Sequence, residues 1–196
     1  MSFSTALLTS GCTRGRSALP QKASVFDVIN SRTSIRQFDP NREVSNDHVE
    51  TLLRSAMCSP TALNSQPWEF IVVRDATILT KLAEGLPYSR IGNGAKLAII
   101  ICGDTDIGLQ PPRAKEYWIQ DCSAASQNLL IATKGLGLGA VWTAIYPMED
   151  RIGHARKVLG IPERFMPLNA IPIGWPTENP QPKNKWKPER IHRNQW

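Results

Sequence analysis

Residues 31–38, SRTSIRQF, place two arginines and three hydroxyls within six residues, beside an Ile and a Phe. Side chains alternate along extended chain, so Arg32, Ser34 and Arg36 share one face. Two guanidinium forks and a hydroxyl on one patch suit a dianion such as phosphate, because each fork donates paired, charge-assisted hydrogen bonds. Ile35 and Phe38 are the candidates to anchor this segment in a core. Taken alone, the stretch also reads as a solvated turn with surface arginines. A second run, SPTALNSQPWEF at 59–70, packs Thr61, Asn64, Ser65 and Gln66 between Pro60 and Pro67. Amide side chains offer a donor and an acceptor together, which the edge of a flavin pyrimidine ring requires. Alone, this run is equally an ordinary polar loop.

A mixed series of helices and strands must position these residues. Ser24 followed by Asp27 forms a capping-box pattern, with Val25, Val28 and Ile29 on one helical face. Asp39-Pro40-Asn41 is a turn, and Ser45 caps a helix whose Val49, Leu52, Leu53 and Ala56 recur at three and four. EFIVV at 69–73 reads as a strand, and Ile78, Leu79, Leu82 and Ala83 as a helix ending near Gly85-Leu86-Pro87. KLAIIIC at 96–102 is a buried strand, and a Pro- and Gly-bearing loop follows over 103–113. A long helix spans about 115–134, with Trp118, Cys122, Ala125, Leu129 and Ala132 on one side and Gly135 at its end. GLGLGAVWTAIYP at 135–147 turns into a strand, and Glu149 to Leu159 form a helix stopped by Gly160. LNAIPIGWP at 168–176 is a further strand, and Pro172 predicts that it is bent or at an edge. Gly135, Gly137 and Gly139 follow a helix instead of opening one. They read as helix termination and close packing, and a doubly wound dinucleotide-binding fold is disfavoured.

The chain of 196 residues is most simply one folded domain. The formal net charge is +6, but the two ends, 1–26 and 183–196, carry +3 and +4, which leaves the body at −1. A nucleic-acid module shows its charge as a stripe on the fold itself, so that class is disfavoured. No apolar run approaches the roughly 18–20 residues that span a bilayer. Cys12, Cys58, Cys102 and Cys122 show no C-x-x-C spacing, so no metal site is expected. Cys102 and Cys122 read as small buried thiols, and a reduced, cytoplasmic setting fits. The organisation expected is a flexible arm or targeting segment at 1–23, a ligand-binding domain at 24–176, and a Pro-rich extension at 177–196. A solvated tail gains nothing from Ile191 and Trp196, so that extension should dock on its own body or on a second subunit.

SRTSIRQF, SPTALNSQPWEFIVV, GLGLGAVWTAIYP, IPIGWP and the terminal ERIHRNQW, in this order over about 24–196, resemble the nitroreductase family of flavoproteins. The resemblance implies an α+β fold with a central, mainly antiparallel sheet flanked by helices, and an intertwined homodimer with FMN at the subunit interface. By position, Arg32, Thr33, Ser34 and Arg36 would hold the FMN phosphate and ribityl chain. Pro60, Thr61, Ala62, Asn64 and Gln66 would reach the same flavin from the other subunit. Trp142, Thr143 and Ala144 would pass near the ring, and Lys185 or Arg190 would complete the phosphate pocket. Three positions depart from the family pattern. Thr33 stands where a second Arg is common, Ala62 where Ser is frequent and Ala144 where Gly is frequent.

The resemblance further implies an FMN-dependent oxidoreductase. It would pass hydride from NADH or NADPH to a small flat acceptor (nitroaromatic, quinone or enone) in a ping-pong cycle. The flavin N5 carries that chemistry, so no side-chain acid or base is assigned, and His48, His154 and His192 lie outside the motifs. The rival readings are a flavin-based reductive dehalogenase or flavin-modifying enzyme, for which the 103–113 loop offers little lid, and a non-enzymatic flavin-sequestering protein.

Overall fold

The computed structural model describes residues 24–107 and 116–196. The arm at 1–23 and most of the loop after residue 103 lie outside them.

Among the described residues, five α-helices and five strands form. In chain order they are α1 (Val25–Ser31), α2 (Asn46–Met57), β1 (Trp68–Val73), α3 (Ala76–Gly85), β2 (Leu97–Asp104) and α4 (Tyr117–Gly135). Then come β3 (Gly139–Ala140), β4 (Thr143–Ala144), α5 (Glu149–Leu159) and β5 (Phe165–Gly174). The helix starts are set by local chemistry. At α1 the Asp27 amide donates to Ser24 Oγ at 3.1 Å, while the Ser24 amide donates to Asp27 Oδ2 at 3.0 Å. Ser45 and Asp75 cap α2 and α3 in the same way, accepting from His48 and Ile78. Gly160, at φ 67°, takes the left-handed position that ends α5.

Every strand pairing is antiparallel, in the order β1-β2-β5-β3, and β4 also pairs β5. The expected α+β class with a mainly antiparallel sheet is observed. β2 is buried along its whole length. Its side chains alternate between two cores. Leu97, Ile99 and Ile101 pack with α2 and α4, whereas Ala98, Ile100 and Cys102 pack with α3 and α5. Each fully buried Ile or Leu contributes about 1.5–3 kcal/mol, and this double-faced burial makes 97–101 a continuous apolar run.

One expectation is corrected. β5 is not an edge; it lies between β2 and the β3/β4 pair, and its register with β2 shifts at Leu168. Pro172 is tolerated because β3 pairs up to Ile173 and β4 only from Ala170, so the missing donor falls where that neighbour is interrupted. The long helix ends at Gly135, as expected, and Gly137, at φ 75°, supplies the left-handed residue that follows it.

The 31–38 segment runs extended along this side of the sheet. The Ile35 amide donates to the Ala140 carbonyl at 2.9 Å, and Phe38 bridges Pro176. Ile35 and Phe38 are buried, as anchors must be. Their room comes from glycine: a Cβ at Gly139 would stand 2.6 Å from Ile35 Cγ2, and one at Gly174 3.1 Å from the Phe38 side chain. At the far end of the sheet, Arg164 donates from Nε and Nη2 to the buried Asp104 carboxylate. That interaction holds the carboxyl below the usual carboxylate range.

Candidate functional site

Arg32, Thr33 and Ser34 leave α1 in extended conformation, with Arg32 at φ −66° and ψ 124°. They line one wall of a cleft of about 900 Å³, and residues 180–186 of the tail form the other. That volume is within the range of small-molecule sites, roughly 300–1,000 Å³. The charged side chains lining it are Arg32, Lys183 and Lys185, with no carboxylate among them. A one-signed lining of this kind raises the local concentration of anions. A smaller recess of about 70 Å³ shares Arg32 and Thr33 and is closed by Lys134, Gly137 and Glu178. Lys134 sits in the last turn of α4, where it offsets the partial negative charge of the free helix carbonyls.

Two expected arginines stand apart from this cleft. Arg36 is exposed; its Nη1 donates to the Ser34 carbonyl at 3.4 Å, and its backbone N–H donates to the Glu178 carboxylate. Arg190 lies on the exposed turn Pro188–Arg190 and lines neither cavity. Of the two tail candidates, Lys185 is the one at the cleft.

Pro60, Thr61, Ala62, Asn64 and Gln66 form a separate turn between α2 and β1, and none of them lines the Arg32 cleft of the same chain. Leu63, Asn64 and Gln66 have φ values of 53°, 56° and 50°. Left-handed backbone costs an L-residue roughly 1–2 kcal/mol, less for Asn. The turn is tied internally by Gln66 N–H to Thr61 Oγ1 at 3.2 Å and by Gln66 Nε2 to Asn64 Oδ1 at 2.9 Å. It is tied externally by Asp121 of α4, which accepts from the Ala62 amide at 3.0 Å and from Ser65 Oγ at 3.5 Å.

Sequence reasoning passed over Asp121. The signal was present: an acid three residues after Trp118 and four before Ala125 falls on the apolar side of α4, and a carboxylate there requires donors.

Trp142 packs partly buried against the core. Thr143 and Ala144 pair with Ala170 and Asn169 of β5. Ala144 lies in strand backbone. Arg151 of α5, also missed, donates from Nη1 to the Ala144 carbonyl at 2.9 Å. Thr143 Oγ1 and Ser59 Oγ are buried and have no hydrogen-bond partner among the described residues. Such hydroxyls are the ones a bound group can satisfy. Among the described residues, no cluster of His, Cys, Asp and Glu has the makings of a metal site, and no helix is long and apolar enough to cross a membrane.

The fold matches known proteins. The nitroreductase family profile matches residues 29–86 and 83–175. A protein of Methanothermobacter thermautotrophicus, provisionally named NADH dehydrogenase/NAD(P)H nitroreductase, is 43% identical over 175 residues, 89% of either chain. A crystal structure from Parabacteroides distasonis with the same provisional name superposes with a TM-score of 0.81 at 44% identity. It covers 88% of this chain and 98% of its own. A provisionally named nitroreductase of Desulfovibrio desulfuricans, crystallised in complex with FMN, is 29% identical with a TM-score of 0.73, over 89% of this chain and 98% of its own. The chain belongs to the nitroreductase family.

Proposed function

We propose that this chain is an FMN-dependent oxidoreductase that passes hydride from NADH or NADPH to a small flat acceptor such as a nitroaromatic, quinone or enone. The observation that carries this reading is the convergence of Arg32, Thr33 and Ser34 with Lys185 on one acid-free cleft. The residues present fit the group. Arg32, Lys183 and Lys185 would hold its phosphate, and Thr33 and Ser34 its hydroxylated chain. The relative crystallised in complex with FMN supports FMN as the group bound.

When bound, the flavin would supply the redox chemistry that connects a nicotinamide donor with the acceptor. The chain supplies binding and orientation. The charge-assisted bonds from Arg32 fix the phosphate end. The strand backbone of 143–144, held by Arg151, supports the ring region. Asn64 and Gln66, each with donor and acceptor, face the pyrimidine edge from a second copy of the chain. A homodimer, with residues 177–196 wrapped on the partner, accounts for Val25, Phe26, Trp186 and Trp196, which are 60%, 71%, 71% and 100% exposed in one chain.

The test is titration of flavin-free protein with FMN, followed by absorbance and tryptophan fluorescence, and then steady-state NAD(P)H oxidation against an acceptor panel. The expected result is a saturable yellow complex that turns over. Arg32→Ala should weaken FMN binding by about 1.5–3 kcal/mol, the scale of a hydrogen bond to a charged group. A chain that takes up no FMN overturns the reading. FMN binding without turnover reassigns the chain to flavin storage, and unchanged affinity in Arg32→Ala removes that residue from the phosphate pocket.

A further inference from the structure

Asp121 lies under the 60–66 turn, only 5% exposed, and makes no ion pair among the described residues. A buried carboxylate without a cation is tolerated only when hydrogen-bond donors compensate it. Its donors are the Ala62 amide and the Ser65 hydroxyl. The dependence runs both ways. Residues 60–66 have no other side-chain link to the rest of the fold among the described residues; their remaining hydrogen bonds stay within the turn. The turn is also left-handed at Leu63, Asn64 and Gln66, and such backbone persists only where its surroundings over-determine it.

We propose that Asp121 is a positioning residue. From α4 it holds the 60–66 turn in its left-handed conformation, so that the Asn64–Gln66 pair is pre-formed before a flavin arrives. Asp121 does not touch the flavin; it acts through the Ala62 amide and Ser65. Gln66 Nε2 donates one N–H to Asn64 Oδ1, so the pair is left offering the Asn64 amide N–H groups, the second Gln66 Nε2 N–H and the Gln66 carbonyl. Pre-organising them lowers the ordering cost of binding. The role in binding rests on the FMN reading above, whereas the role in shaping the turn does not.

The experiment therefore has two readouts. Amide hydrogen exchange at Ala62 in flavin-free protein reports the turn itself. FMN titration reports its consequence. Asp121→Ala should speed exchange at Ala62 at least tenfold and raise the FMN dissociation constant by about tenfold, the gain that pre-organisation supplies. Asp121→Asn keeps an oxygen acceptor for the Ala62 amide and should recover most of both. Recovery of both readouts by Asn supports positioning by hydrogen bonding. Asn behaving like Ala on both readouts overturns it, as does unchanged Ala62 exchange in Asp121→Ala. If Asp121→Ala does not fold, Ser65→Ala leaves α4 intact and should raise Ala62 exchange and the FMN constant several-fold; no change in either overturns the proposal. Failure of the unaltered chain to bind FMN defeats the flavin reading and leaves the exchange result to judge Asp121.

Discussion

Cys102 and Cys122 meet inside the molecule, where Cys122 Sγ donates to the Cys102 carbonyl at 3.6 Å. Burial pushes both thiols up to about 12, because desolvation penalises the thiolate. At pH 8 only about one molecule in ten thousand carries a thiolate at either position, and the thiolate is the reactive form. Cys58 is exposed at the end of α2. A maleimide or iodoacetamide time course at pH 8 on native protein should therefore modify Cys58 quickly and spare Cys102 and Cys122 until denaturant is added. Peptide mapping checks this. Rapid native labelling at Cys122 would mean that α4 opens far more often than its packing implies. The same residue scale explains what was hard to read in the sequence. Thr61, Asn64 and Gln66 were legible as polar loop chemistry, but their left-handed backbone was not, since Leu63 and Gln66 are not residues that favour it.

At the scale of elements, the 31–38 segment owes its position to the ends of strands β3 and β5. Gly139→Ala adds a Cβ 2.6 Å from Ile35 Cγ2, and neither the segment's backbone bond to Ala140 nor the strand yields easily. Overpacking of this sort costs about 1–3 kcal/mol, and it displaces the stretch that carries Arg32. Gly139→Ala should lower both the melting temperature and the FMN affinity. Gly153 is the internal control. It lies inside α5 with nothing within 4 Å of an added Cβ. Gly153→Ala should stabilise by up to about 1 kcal/mol, the helix propensity difference, and leave FMN binding alone. Thermal denaturation with FMN titration of both variants decides the matter, and a harmless Gly139→Ala would show that Ile35 is not clamped.

At the scale of the whole molecule, the cleft wall formed by residues 180–186 belongs to an extension that is exposed almost throughout and contributes nothing to the core. Ile191 and Trp196 are 48% and 100% exposed, and Trp196 stacks on His192, at 4.2 Å. Apolar area of that kind is stabilising only when covered. Truncation after Pro182 removes Lys183, Lys185 and all three of these late apolar side chains (Trp186, Ile191, Trp196). The truncated chain should dissociate at higher concentration than the full chain, by analytical ultracentrifugation, and lose FMN on gel filtration. A truncated protein that stays dimeric and yellow would contradict the wrapped-tail arrangement.

Local chemistry written along the chain settled much of this protein. Capping residues and apolar periods placed all five helices and three main strands, because caps and periodicity are properties of neighbours in sequence. The order of SRTSIRQF, SPTALNSQPWEF and GLGLGAVWTAIYP also carried the family. Contacts between distant residues decided the rest. Pro172 sits safely in a central strand only because its neighbour breaks opposite it. Asp121 matters only because the 60–66 turn lies above it, 55 or more residues earlier in the chain. Of the cations foreseen near the phosphate, Arg32 and Lys185 share a cleft while Arg36 and Arg190 do not. Which cations converge depends on where a tail more than 140 residues away comes to lie, and no local pattern encodes that distance.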